Sequence, residues 1–411
     1  MREFEVHAGW LDPAETIGIC RINTVRGNEV ISFSYDVSWL QNHPSFNLDP
    51  DVQHAEGWQY PPADKPSFGF LADTAPDRWG RKLMDRREGL DAELEHRAKR
   101  KLMESDYILG VHDGGRIGGI RFYDPQSGVY LSSRDTLAAP PMEQLGKLEQ
   151  ASLALETEAD EDVRKWLKNL LDPGSSLGGA RPKANVVDEK GNVWIAKFPS
   201  AKDEMNIGAW EMVAHELAIK CGLNVPDARL LHLSEKGDTF LVKRFDRDGE
   251  KRIHYASAMT MLGATDRQDN QMSYIDIVDV IEGNSNEPQK QLKELWDRLV
   301  FNVCISNTDD HLRNHGFLLR NDGWDLSPAF DVNPNIDKDT LSLLIGETDE
   351  KSVENAIAVC EFFRISEEDA RKRAGEIKRI VRENWKELAK AYHIANQEIV
   401  KMSDAFAAAS T

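Results

Sequence analysis

Only four cysteines occur in the 411 residues, at positions 20, 221, 304 and 360, and no two of them form a C-x-x-C pair. That spacing excludes a disulfide framework and a cysteine-built zinc site as the organising device of the fold. No apolar run reaches the ~20 residues of a membrane helix, and Met1-Arg2-Glu3-Phe4-Glu5 lacks the apolar core of a signal peptide. The expectation is a cytoplasmic protein without a membrane partner, in a reducing compartment. Positive charge is also scarce, because 51 Lys and Arg face 70 Asp and Glu for a formal net charge of −19 at pH 7. Such a surface repels phosphate backbones, so direct DNA binding by this chain is not expected. There is no internal repeat and no low-complexity segment, and a chain of this length has room for two or three structural units.

What is present is concentrated in one loop. Asn307-Thr308-Asp309-Asp310-His311-Leu312-Arg313-Asn314 is followed by Ser327-Pro328-Ala329-Phe330-Asp331. A carboxylate, a carboxamide five residues on and a second carboxylate beyond a hairpin make up the set with which protein kinases hold metal-bound ATP and accept a hydroxyl proton. Leu292, Leu295, Leu299 and Val303 recur at helical spacing just before the loop, so the carboxylates fall past the end of a buried helix. Phe317–Arg320 and Trp324–Leu326 read as strands turning through Asn321-Asp322-Gly323, which folds Asp331 back toward Asp309. Register separates the adjacent aspartates: Asp309 has Asn314 at the kinase spacing, whereas Asp310 has His315. Asp309 is therefore assigned as the base that orients the acceptor hydroxyl, with Asn314 and Asp331 as magnesium ligands. Taken singly these are ordinary loop residues. A hydrolytic two-metal centre built from Asp309, Asp310, His311 and Asp331 is the competing functional reading.

The remainder of an ATP site is sought upstream. Residues 184–187 and 193–198 flank Asp188-Glu189-Lys190-Gly191-Asn192 and read as a hairpin that carries Lys197 at the end of an apolar strand. A lysine there is either a solvated edge residue or the ammonium that pairs with ATP phosphates. Pro173 to Lys183 contains Gly174, Gly178 and Gly179, which would let backbone amides approach phosphate oxygens, but it is neither a Walker sequence nor G-x-G-x-x-G. A helix over roughly residues 206–221 sets Val213, Leu217 and Cys221 on one stripe and ends at Gly222. Glu211 lies on its small-residue flank with Ala214 and Ala218, placed to face Lys197 or else solvated. Residues 239–246 read as a strand entering a hinge between two lobes.

With these motifs in hand, the chain resembles the HipA family, bacterial serine/threonine kinase toxins of type II toxin–antitoxin operons. The resemblance rests on NTDDHLRN at 307–314, SPAFD at 327–331, SSLGGARPK at 175–183, IAKFP at 195–199, GLNVP at 222–226 and VKRFDR at 242–247. It extends to FGFLADTAPDRWGRKLM at 68–84 and DYILGVHDGGRIGGIRF at 106–122. It implies that Asp309 is the catalytic aspartate, that Asn314 and Asp331 bind Mg²⁺, and that Lys197 contacts ATP phosphates. Glu211 occupies the family's glutamate ahead of GLNVP, Lys243 and Phe245 match hinge positions that meet adenine, and His311 joins Ser176, Gly178 and Gly179 in the nucleotide-binding set. Ser176 resembles the loop serine whose autophosphorylation expels the loop and switches the kinase off. The family's partners would be a protein substrate, such as a translation component of the aminoacyl-tRNA synthetase kind, and a HipB-like helix-turn-helix antitoxin through which DNA is reached indirectly. Val332 stands where common protein kinases carry glycine, and no A-P-E segment follows, so no activation loop is carried over.

The expected fold is α+β, a two-lobed protein-kinase-like fold with an additional N-terminal α/β subdomain. Residues 1–123 would form that subdomain, with a hairpin over 16–36 and a helix opened by Ala75-Pro76-Asp77 with proline near its first turn. Residues 124–247 would form the N-lobe with preceding helical stretches (Leu145, Leu148, then Val163, Trp166, Leu167, Leu170). Residues 248–411 would form a helical C-lobe, with a long helix capped by Ser366 and striped by Ala370, Ala374, Ile377, Val381 and Leu388. A small-molecule kinase of the same fold and a catalytically silent nucleotide-binding scaffold are the alternative functions.

Overall fold

A computed structural model describes residues 1–133, 139–157, 181–265, 268, 271–321 and 323–410. They divide into two compact units, Met1–Ala201 with Asp246–Ala256, and Lys202–Phe245 with Ser257–Thr411.

Alternation in the first strand, where Phe4, Val6 and Ala8 are buried on one face, sets the first unit's core. An antiparallel five-stranded sheet runs in the order Asn28–Tyr35, Glu15–Val25, Arg2–Ala8, Ile120–Asp124, Val129–Tyr130. Its buried face packs Cys20, Ile22, Phe33 and Phe122 against Trp39, Phe68, Phe70 and Ile108. The hairpin expected over 16–36 is present. It turns through Arg26 (φ 52°) and Gly27 (φ 83°), two consecutive left-handed residues that match strand twist. Pro76, by contrast, stays outside the Arg78–Leu94 helix. Asp77 takes the N-cap and its side chain accepts from the Gly80 amide at 2.7 Å, which satisfies one of the orphan donors of the first turn.

The second hairpin of this unit, Lys183–Val187 with Val193–Lys197, follows the sequence pattern closely. Its turn is built on Asp188, which accepts from the amides of Lys190 at 3.0 Å and Asn192 at 2.9 Å and from Trp194 Nε1 at 2.9 Å. Burial works against the Asp188 charge, yet the Asn192 and Trp194 hydrogen bonds outweigh it and bring its carboxyl down to about 2. Leu145 and Leu148 are buried on the Leu145–Thr157 helix, while Val163, Trp166, Leu167 and Leu170 lie outside the described residues.

In the second unit the helix expected near 206–221 spans Ile207–Lys220, capped by the Asn206 side chain and followed by Gly222 at φ 78°. Val213, Ala214, Leu217, Ala218 and Cys221 are all buried. Ala228–Ser234 and Gly237–Lys243 form an antiparallel hairpin. Helices Tyr274–Asn284 and Pro288–Cys304 follow, the second with proline at its first turn, where the missing N–H costs nothing. The long helix runs Glu367–Ala391 from a Ser366 cap. Its stripe departs from expectation at one point: Leu388 is half-buried, and Trp385 and Ala389 take the buried positions. Leu388 stays within about 20° of Val381 around the helix, so its partial exposure comes from the packing around it rather than from its place on the stripe. Among the described residues no helix is long and apolar enough to cross a membrane.

Candidate active site

The Pro288–Cys304 helix delivers the loop. Beyond its end the Asn307 amide donates to the Asn302 carbonyl at 2.8 Å and Asn307 Nδ2 donates to Asn302 Oδ1 at 3.2 Å, so the chain leaves the helix in a fixed direction. Ser306 takes a left-handed φ of 52° at this exit. The two aspartates that follow differ sharply in environment. Asp310 is buried, and its Oδ2 accepts from Asn302 Nδ2 at 3.1 Å, lies 2.8 Å from His315 Nε2 and accepts a short hydrogen bond from the Tyr274 hydroxyl. Burial opposes its charge, but His315 and Tyr274 hold the carboxyl below the usual carboxylate range. The same network pushes the Tyr274 phenol well up, first through burial and then through the Asp310 charge. Asp309 is exposed, with its Oδ1 3.4 Å from Lys338 Nζ.

Asn314 is buried at the end of the short Leu312–Asn314 turn, and its Nδ2 donates to the Asp309 carbonyl at 3.2 Å. The two residues are thus tied through the backbone at the spacing that singled them out. Strands Gly316–Arg320 and Gly323–Leu326 pair antiparallel with Arg320 opposite Gly323, and Asn321 takes φ 48° in the turn. The SPAFD segment that follows is anchored twice, by the Arg298 guanidinium donating to the Ser327 carbonyl at 2.8 Å and by the Ala329 amide donating to the Asn224 carbonyl at 2.7 Å. Asp331 itself sits at φ 57°, a left-handed conformation that Asp tolerates better than most side chains. Asn333 Nδ2 donates to its Oδ1 at 3.4 Å.

Around these residues the sequence-predicted set is partly gathered. Phe245 packs on Phe330 with ring centroids 5.4 Å apart, so the predicted hinge adjoins the residue before Asp331. The Lys243 amide donates to the Asp227 carbonyl at 2.8 Å. Glu211 is buried on its helix rather than solvated. Lys197, in the other unit, is half-buried at the end of its strand. Ser176, Gly178 and Gly179 lie outside the described residues.

Sequence reasoning missed Tyr274, Asn302, His315 and Lys338. His315 carried a signal, since the five-residue spacing that ties Asn314 to Asp309 also ties His315 to Asp310. Tyr274 and Lys338 come from distant segments and carried none.

Chemically, Asp309 can accept a proton, whereas the lone pairs of Asp310 Oδ2 are already engaged. The two-metal reading meets this difficulty directly, and among the described residues no group of three or more His, Cys, Asp or Glu is placed to hold a metal. Asn314 and Asp331 offer hard oxygen donors with a single carboxylate between them, which suits Mg²⁺ shared with phosphate oxygens. Thr308 Oγ1, His311 Nδ1 and Asn333 Oδ1 are buried without a hydrogen-bond partner in the same loops. Unsatisfied buried polar atoms of this kind are costly to keep, and they fit a site built for a polar ligand.

Comparison with known proteins identifies the family and the fold. The family described as the HipA-like C-terminal domain matches residues 175–392, just over half of the chain. The chain belongs to that family. A putative kinase of Haemophilus influenzae is 26% identical over 180 residues, 38% of this chain and 52% of that protein. The serine/threonine-protein kinase toxin HipA of Shewanella oneidensis is 22% identical over 201 residues, 42% of this chain and 46% of that one. The chain spans about half the length of these curated relatives. In the solved structure of the Shewanella oneidensis toxin–antitoxin complex of HipA, HipB and its operator DNA, a chain superposes with a TM-score of 0.66 at 16% identity, covering 99% of this chain and 95% of that one. The fold is therefore the α+β, kinase-like fold of HipA, with the N-terminal subdomain included.

Proposed function

We propose that this HipA-family chain is an ATP- and magnesium-dependent serine/threonine protein kinase. The observation that carries the reading is the contrast at the loop: Asp309 exposed and tied through its carbonyl to Asn314, Asp310 buried with its Oδ2 held by Asn302, His315 and Tyr274. Asp309 orients the acceptor hydroxyl and takes its proton as the oxygen attacks the γ-phosphorus. Asn314 and Asp331 would hold magnesium, which when bound neutralises charge on the phosphate oxygens. Lys197 supplies a cation to the phosphates, Phe245 and Lys243 line the adenine hinge, and Glu211, His311 and the Ser176–Gly179 loop complete the nucleotide-binding set.

The acceptor is a serine or threonine of a bacterial protein, with a translation component such as an aminoacyl-tRNA synthetase as the family-based candidate. Regulation is proposed at two levels, autophosphorylation at Ser176 and a HipB-like helix-turn-helix antitoxin that brings the kinase to DNA indirectly. The Shewanella neighbour, solved with HipB and operator DNA, supports the second. A net charge of −19 suits a basic partner. A cytoplasmic location completes the proposal.

The test is incubation of the purified protein, and then of a cell lysate with it, with labelled ATP and magnesium, read by mass spectrometry. Phosphoserine or phosphothreonine on protein is the expected product. Label recovered only in small molecules would turn the reading toward a small-molecule kinase, and nucleotide binding without turnover toward a silent scaffold.

A further inference from the structure

We propose that Lys338 is a catalytic residue beside Asp309, holding the carboxylate in place and then sharing its ammonium with the phosphoryl group as it transfers. This rests on the reading of Asp309 as the base. Lys338 Nζ lies 3.4 Å from Asp309 Oδ1 and donates to Ser342 Oγ at 3.3 Å. Ser342 is in turn locked to the residue immediately before the aspartate: its hydroxyl donates to the Thr308 carbonyl at 2.9 Å and its amide to the same carbonyl at 3.1 Å. The lysine's own backbone is held from the other side, where Lys351 Nζ donates to the Lys338 carbonyl at 3.2 Å. Aspartate, lysine and serine therefore form a closed path through the Thr308 carbonyl, so Nζ is held near the carboxylate by more than mutual attraction.

Stability is a poor explanation for the contact. The Lys338 and Asp309 side chains are 51% and 71% exposed, and ion pairs at such exposure contribute little to folding. What the arrangement does provide is a cation on the solvent side of the base, the side from which an acceptor hydroxyl has to arrive. In the transfer the hydroxyl oxygen bonds to the γ-phosphorus, its proton passes to Asp309, and the bond from that phosphorus to the leaving nucleoside diphosphate breaks. As the proton neutralises Asp309, the ammonium loses its partner just when negative charge moves over the phosphoryl oxygens, and it can turn to them with little reorganisation. The residue is contributed by the segment after Asp331, outside the loop that carries the base.

The test compares wild type with Lys338→Met, Lys338→Arg and Ser342→Ala, measuring kcat for phosphoryl transfer and calorimetric affinity for magnesium–ATP. Because the side chain is exposed, unchanged thermal midpoints are expected. Lys338→Met should lower kcat on the order of 10- to 100-fold with nucleotide affinity unchanged, Lys338→Arg should recover most of the loss, and Ser342→Ala should show a smaller fall of the same kind. An unchanged kcat in Lys338→Met overturns the proposal. So does a parallel loss of nucleotide affinity, which would mark a simple binding cation, or a rise in kcat, which would mark an inhibitory latch. In those three cases an active wild type leaves the kinase reading standing. Absence of transfer by wild type removes the kinase reading, and this inference with it.

Discussion

Asp310 and His315 lie 2.8 Å apart in a network that also takes in Tyr274 and Asn302, while Asp309, one residue earlier, faces solvent. Adjacent residues of identical chemistry are thus split between a buried and an exposed environment. The split yields the first prediction. Asp309→Asn should lower turnover by roughly 10² to 10⁴ while leaving nucleotide binding and urea stability near wild type. Asp310→Ala should instead cost about 3 to 5 kcal/mol of stability, because it strands the buried Tyr274, Asn302 and His315 groups. Near-normal turnover in Asp309→Asn would remove it from the mechanism.

Magnesium binding is tested at Asp331. Asp331→Ala should weaken ATP binding measured with magnesium more than binding measured without it. Calorimetric titrations under both conditions provide the comparison. An equal loss in both would mean that the left-handed turn at this residue, rather than coordination, is what the side chain serves.

The proposed phosphorylation of Ser176, outside the described residues, is tested on phosphoprotein prepared by autophosphorylation. A phosphate adds about −1.5 to −2 charges at neutral pH to a segment that must approach other phosphates. ATP affinity of the modified protein should fall. Undiminished affinity in a sample stoichiometrically modified at Ser176 rules out loop expulsion, and modification at Ser175 alone would shift the register by one.

A pH prediction comes from the first unit. Glu88 accepts from Arg97 Nη1 at 2.5 Å and from the Arg100 amide at 3.1 Å, and these hydrogen bonds, Arg97's foremost, bring its carboxyl down to about 2 from an ordinary 4.5. A carboxyl depressed in the folded state stabilises it above the unfolded value and loses that contribution as pH falls through the folded one. The thermal-midpoint gap between wild type and Glu88→Gln should therefore be constant at neutral pH and close between about pH 4.5 and 2. A gap that persists at the acid end would assign the difference to packing.

Much of this protein was legible because its signals are local. The Asp188 turn, the Ser366 cap, the left-handed Gly222 and the Arg26-Gly27 hairpin each depend on a few neighbouring residues, so propensity and periodicity read them. Pro76 and Leu388 are the exceptions. Asp77 takes the cap and leaves Pro76 just outside the helix, and Leu388, though on the apolar stripe, is only half-buried.

The sequence by itself determined the local elements, the order of the motifs and the pairing of Asp309 with Asn314, since spacing along one loop sets all three. It did not determine which aspartate is exposed. That depends on Tyr274, contributed from 36 residues upstream, and on the burial that makes Asp310 need its partners. Nor did it place Lys338, 29 residues downstream, against Asp309. Contacts of that separation leave no periodicity in the chain. Tertiary packing decides them, through the cost of leaving a buried polar group unsatisfied and the absence of that cost at the surface.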